Sequence, residues 1–277
     1  MAFGGDNAES YYDEGLTASM KGDMARAVQC FERAIRLDNT FAAAYHQLGK
    51  SYLRTGDVQK AVDLLQQVVS RRPDQIPAKL DLGHAYLSMN RTGEAREQFE
   101  GILAVDPLNS RAHLGLAHVN FSEANWRAAM DQAQSVLESG GKNFSALFLL
   151  GRAAKLAGDA QLAQSTLESA DKLLEKSIEL NPDQPEGHFL RGEVFYFREQ
   201  FSSAMENYRA ADDRTDARNP DRLYSAFGEN FTQLDILAKL GLCYQRLGKP
   251  DRARELGEKI LARNPNHKIG RSLVESE

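Results

Sequence analysis

Apolar residues along this chain recur three and four positions apart, in blocks of about a dozen residues broken by short polar segments. This is the period of a helix with one buried face. The clearest block is AAAYHQLGKSYLRTGDVQKAVDLLQQVVSRRPDQ, residues 42–75. Leu48 and Tyr52 mark one apolar face, and Ala61, Leu65 and Val68 mark a second after a break. Gly56 suits the left-handed residue that ends the first helix, and Asp57 is expected to cap the second by accepting a backbone N–H. Pro73 cannot continue a helix and stops it. Gly49 and Ala61 place small residues on facing helices, so the axes can approach closely where they cross. Two helices of this length cannot bury both faces alone, so the unit needs neighbours.

The chain supplies them. Gly15, Gly49, Gly83, Ala117 and Gly151 follow one another at a constant step, as do Ala27, Ala61, Ala95, Ala129 and Ala163. The step is then longer, but the pair persists as Gly192 with Ala204 and Gly241 with Ala253. Pro73, Pro107, Pro182 and Pro265 fall near the ends of these units. A repeat of about 34 residues, built as helix–turn–helix with small residues at these places, resembles the tetratricopeptide repeat. Seven copies fit, at residues 8–41, 42–75, 76–109, 110–143, 144–184, 185–216 and 234–267. An insertion occupies 217–233, a loose tail 1–7, and a polar capping helix or frayed end 268–277. The resemblance implies an all-α fold: a right-handed superhelical solenoid of antiparallel helix pairs, here a single array over 8–267.

The fourth copy departs from the pattern, with Asn120 in place of a tyrosine and Gly140-Gly141 in place of the terminal proline. Its Trp126 reads as packing between repeats. The fifth carries seven more residues between Ala163 and Pro182 than the second copy does in the corresponding part. Seven residues are almost two helical turns, and Leu167, Ala170, Leu174 and Ile178 stay in phase, so one helix lengthened by about 10 Å is expected. The insertion, with Leu223, Tyr224, Phe227 and Phe231 among turn formers, reads as a short helix covering a repeat edge, or as a lid or partner contact.

Composition narrows the function. A net charge of −5 argues against a nucleic-acid surface, which is usually strongly basic. No apolar run approaches the roughly 20 residues of a spanning helix, so direct membrane insertion is not expected. No secretory signal is visible in the opening residues, and a cytoplasmic location is expected. Cys30 and Cys243 stand in the first and last copies, too far apart in a stacked array for a disulfide. No phosphate-binding glycine loop, HExxH, GxSxG or CxxC occurs, so no catalytic residue, metal site or cofactor is assigned and the chain does not read as an enzyme.

What remains is a surface. In tetratricopeptide arrays the first helices of successive repeats line a concave face where extended peptides or partner helices bind. One row on those helices is Tyr12, His46, Leu80, Leu114, Phe148 and Phe189. A second holds Lys50, His84, His118 and Arg152, continuing to Glu193. A third position adds Phe121 and Tyr196. An apolar strip beside a basic ladder predicts a protein or peptide partner with hydrophobic and acidic residues. With His84 and His118 open to solvent, affinity is expected to rise as pH falls through about 6.5. The carboxylate clamp of chaperone-adaptor members is not matched: its register gives His46, Lys50, Asp81, Arg111 and Gly115, and Asp81 repels an acidic tail. The function expected is an interaction scaffold or adaptor. The alternatives are a self-assembling structural scaffold and an accessory subunit of a larger assembly.

Overall fold

The computed structural model describes residues 7–216, 218–226 and 229–275. The expected tail up to residue 6, Phe227 and the last two residues lie outside them. Asn7, assigned to that tail by sequence, instead caps the first helix, its side chain accepting from Ser10 N at 2.8 Å. The helices run as pairs: α1 (Ala8–Met20) with α2 (Met24–Leu37), α3 (Ala42–Thr55) with α4 (Val58–Arg71), and α5 (Ile76–Ser88) with α6 (Thr92–Leu103). They continue with α7 (Ser110–Ser122) and α8 (Trp126–Gly140), α9 (Phe144–Ala157) and α10 (Ala160–Leu180), and α11 (Pro185–Phe197) and α12 (Phe201–Asp212). A two-stranded hairpin, β1 (Tyr224–Ala226) and β2 (Glu229–Phe231), precedes α13 (Gln233–Arg246), α14 (Pro250–Arg263) and α15 (Lys268–Glu275). The helices gather into two compact units, Met1–Gly140 and Gly141–Glu277. The division falls at the glycine pair that replaces the proline of the fourth repeat.

Each pair closes through one left-handed residue. Gly22, Gly56, Gly158 and Gly248 occupy that place with φ between 68° and 86°. Asn90, Ala124 and Glu199 occupy it in the remaining pairs, at φ 58°, 60° and 61°. A side chain there crowds its own backbone, at about 1–2 kcal/mol. Asp57 does not cap α4 as expected; its carboxylate accepts from Lys60 at 3.3 Å instead. Asp23 and Asp159, at the same place in their repeats, do cap, accepting from Arg26 N and Leu162 N at 3.0 Å.

The crossing of each pair is an interlock of glycine against a large side chain sixteen residues later. A Cβ on Gly15 would lie 2.6 Å from Phe31, on Gly83 2.6 Å from Phe99, on Gly151 2.7 Å from Leu167, and on Gly192 2.6 Å from Tyr208. On Gly49 it would lie 3.0 Å from Leu65, with the Ala61 carbonyl at 3.6 Å. These partners are among the most deeply buried side chains of the chain. The fourth repeat inverts the pairing: Ala117 replaces the glycine and Ala133 replaces the large residue, both fully buried. The seventh pairs Gly241 with Gly257, and α15 fills the gap. A Cβ on Gly241 would meet Leu273 at 2.3 Å and one on Gly257 would meet the Leu273 Cβ at 2.9 Å. The expected capping helix therefore supplies a core side chain that the last pair lacks.

The lengthened helix forms as one piece, α10, with Leu167, Ala170 and Leu174 buried. The described residues of the insertion form a hairpin and no helix. Its strands pair antiparallel, Tyr224 opposite Phe231 and Ser225 opposite Asn230, because two aromatic rings on one face hold it down while Ser225 and Asn230 stay outside. Ser225 and Ala226 face Ser177 and Asn181, at the end of α10, across a polar cavity of about 280 Å³. The two irregular segments of the second unit thus abut.

Ala124→Gly removes the left-handed cost and adds glycine's larger entropy loss, so it is expected to stabilise by about 0.5–1 kcal/mol. Gly56→Ala is expected to destabilise by a similar amount. Urea unfolding midpoints, at unchanged denaturant slope, measure both.

Candidate partner-binding site

In the first unit α3, α5 and α7 lie side by side, and their facing residues form a cleft of about 280 Å³ lined by Lys50, Pro77, Leu80, Asp81, His84 and Arg111. Lys50, Leu80 and His84 were expected here. Pro77, Asp81 and Arg111 were not, outside the clamp register. The signal for two of them was present: Pro77 and Arg111 stand one repeat apart, three residues before the first row. His46 and Asp81 form a hydrogen bond of 2.7 Å between α3 and α5. Asp81 is thus held at the wall of the cleft by His46, while Lys50 and Arg111 are exposed and make no salt bridge among the described residues.

His84 lines the cleft. One side is open to solvent, and the other packs edge-on against Phe99 with centroids 5.3 Å apart. The protein mass around it pushes its imidazole below the usual histidine value; Asp81 opposes this and Arg111 reinforces it. The charged form is disfavoured in the folded chain, so the acid-linked gain in affinity expected near 6.5 moves to lower pH. Leu114, His118 and Phe121 are half-buried along α7, with Phe121 edge-on to Trp126 at 5.1 Å. Tyr12 turns inward, its ring 4.9 Å from Phe41 and 5.8 Å from Phe31. Leu80 is 6% exposed and offers the cleft only an edge.

The second unit places its row residues differently. Phe148, 2% exposed, stacks on Phe144 at 5.5 Å and meets Phe197 edge-on at 5.7 Å. Arg152 lies over the Phe148 and Phe197 rings at 5.2 and 4.9 Å. Phe189 is covered by Phe231 of the hairpin, stacked at 3.9 Å, and Tyr224 stacks on Phe231 in turn at 5.5 Å. The open apolar strip expected from the first row is therefore closed at Phe148 and Phe189. Both rings are core, because aromatic partners from outside their row cover them. Tyr196 is half-buried between Phe197 and Phe201.

Glu193, next along the basic row, is buried rather than open. It accepts from Tyr208 Oη and from Lys239 Nζ, the latter at 2.7 Å, and so pins α11 to α12 and α13. Burial, with Glu193 adding to it, drives the Tyr208 hydroxyl well above its usual range. The same two causes push the Cys243 thiol up to about 12. Both cysteines are free and buried. Among the described residues no three His, Cys, Asp or Glu side chains group as metal ligands, and no helix is long and apolar enough to cross a membrane.

Tetratricopeptide repeat models match residues 18–77 and 55–119, 155–220 and 235–267. This chain belongs to the tetratricopeptide repeat family. The family and the fold class, antiparallel helix pairs of the solenoid type, are those expected from the sequence. No curated protein sequence matches the chain. Among solved structures, a tetratricopeptide repeat protein from Parabacteroides merdae is similar over 98% of both chains, with 15% identity and a TM-score of 0.67. MamA from Desulfovibrio magneticus RS-1 is similar over 62% of this chain and 97% of its own, with 20% identity and a TM-score of 0.57. Cut9–Hcn1, an APC/C hetero-tetramer, is similar over 94% of this chain and 47% of that one, with 19% identity and a TM-score of 0.62. At these identities the tetratricopeptide fold is what the chain shares with them.

His84 titrates with a lowered value in the folded chain. Its contribution to stability is therefore complete above the unfolded value, about 6.5, and declines as pH falls below it. NMR titration is expected to place its midpoint below the usual histidine value, and His84→Gln to lessen the loss of stability on acidification through that range.

Proposed function

We propose that this tetratricopeptide chain is a non-catalytic interaction scaffold whose first unit holds an extended or helical segment of a partner protein. The observation that carries the reading is the open cleft of Lys50, Pro77, Leu80, Asp81, His84 and Arg111 on its first helices. Two exposed cations with one carboxylate already engaged by His46 favour a ligand bearing an acidic residue. The edges of Leu80 and Leu114, with Phe121 and His118 farther along α7, suit an apolar anchor beside it. Apolar burial supplies most of the affinity, at about 25 cal/mol per Å² before ordering costs, and the charges set orientation and association rate. In the second unit the hairpin already covers Phe189, so the same row is closed there by the chain itself. Arg152 and Tyr196 there border an aromatic cluster.

A second reading makes the chain a subunit of a larger or self-associated assembly. The Cut9–Hcn1 hetero-tetramer, similar over 94% of this chain, favours it. Mass measured by light scattering over a concentration series separates self-association from capture of a different protein.

The site is tested with displayed peptides that combine leucine with flanking glutamates. Lys50→Glu with Arg111→Glu is expected to lower affinity at least tenfold at low salt, chiefly through the on-rate, with the gap narrowing as salt rises. Leu114→Ala is expected to cost about 1 kcal/mol of binding with little salt dependence. Unchanged affinity in both variants, with helicity intact, moves the site off this cleft.

A further inference from the structure

The helix that completes the last pair is started by an unusual residue. Gly270 N–H, in the first turn of α15, donates to His267 Nδ1 at 3.1 Å, and Arg271 N donates to the His267 carbonyl at 3.1 Å. His267 is therefore the N-cap of α15. The other helices with a side-chain cap use Asn7, Asp23, Asn109, Asn143, Asp159 and Thr232. None of those changes charge near neutral pH, whereas histidine does. Only a neutral imidazole has a nitrogen lone pair to accept a hydrogen bond. Protonation turns Nδ1 into a donor, leaves the Gly270 N–H without its acceptor, and sets a positive charge at the positive end of the helix.

The charged groups around the ring are Asp235 on α13, Arg263 at the end of α14, and Lys268 and Arg271 on α15. Asp235 Oδ1 lies 3.9 Å from His267 Nε2 and offers the imidazolium a partner. Its other oxygen is already used, accepting from Thr232 N and Oγ1 at 2.8 Å. Arg263 is engaged by Gln233 Oε1 at 3.1 Å, and Arg271 by the Pro265 carbonyl at 2.9 Å. Acid thus offers His267 a choice between keeping the cap as a neutral ring and turning to Asp235 as a cation.

What the cap holds in place matters more than the helix itself. Leu273, 1% exposed, fills the space between Gly241 and Gly257, and Gly270 lies against Ile260. Without α15 the last pair has two glycines facing each other and an uncovered apolar face. We propose that His267 makes α15 an acid-released cap: neutral His267 seats Leu273 in the Gly241–Gly257 gap, and protonation loosens the helix and uncovers the α13–α14 face.

Hydrogen exchange on the full chain, corrected for intrinsic rates, tests this at about pH 7.5 and 5.5. In the wild type, protection of residues 270–274 is expected to fall about tenfold more than that of α13 on acidification. His267→Asn keeps a side-chain acceptor with no charge to gain, so its protection is expected to be the same at both values. His267→Ala is expected to show the loosened level at both. Equal acid loss in the wild type and His267→Asn, or full protection of His267→Ala at the higher pH, overturns the proposal.

Discussion

The helical pairs of this chain share one steric condition: two helix axes approach closely only where the residues at their crossing are small enough in sum. The glycine of the first helix receives a ring or a leucine from the second, and that single contact sets both the crossing and the buried volume. The condition concerns the sum across the crossing more than the glycine itself. In the fourth repeat the bulk is shared between two alanines, and in the seventh it is imported from α15. Close packing of this kind leaves no room for an added methyl group unless its partner shrinks.

Against that constant backbone geometry, the irregularities gather in the second unit. Two extra turns on α10 and a hairpin between α12 and α13 meet around one polar cavity, and the hairpin's Phe231 lies on Phe189. The first unit, whose repeats keep the regular step, leaves the corresponding surface open. Its cleft is small and charged, with one acid hydrogen-bonded to a neighbouring histidine. The same row of first-helix positions therefore yields an accessible recess in one unit and hydrophobic core in the other.

The helices, their left-handed turns and the continuity of α10 were legible because each follows from spacing. Gly56 announced its turn, and the seven added residues kept Leu174 in phase. Strands three residues long show no alternation to read, and the rings that hold them, Tyr224 and Phe231, have no counterparts in the repeat. For the same reason the burial of Phe189 was hidden: its covering ring comes from outside the period. Phe148 was misplaced because Phe144 and Phe197, which enclose it, belong to positions that other repeats fill with smaller or polar residues. Asp57 failed to cap although Asp23 and Asp159 do; its carboxylate turns to Lys60 instead. The cleft was half visible: Lys50 and His84 were in the row, and Arg111 stood one repeat beyond a proline that drew no notice.

The interlock also limits how such a chain can be rearranged. A first helix bearing Ala117 fits only a partner as small as Ala133; set against the helix of Phe99, its methyl would meet the ring. Gly241 placed opposite Ala133 would leave a hole. Recombination among these repeats can therefore exchange whole hairpins but not single helices. The last hairpin cannot be moved inward at all without taking α15 with it. The heritable module is the crossing, and sequence similarity between individual helices says little about whether they are interchangeable.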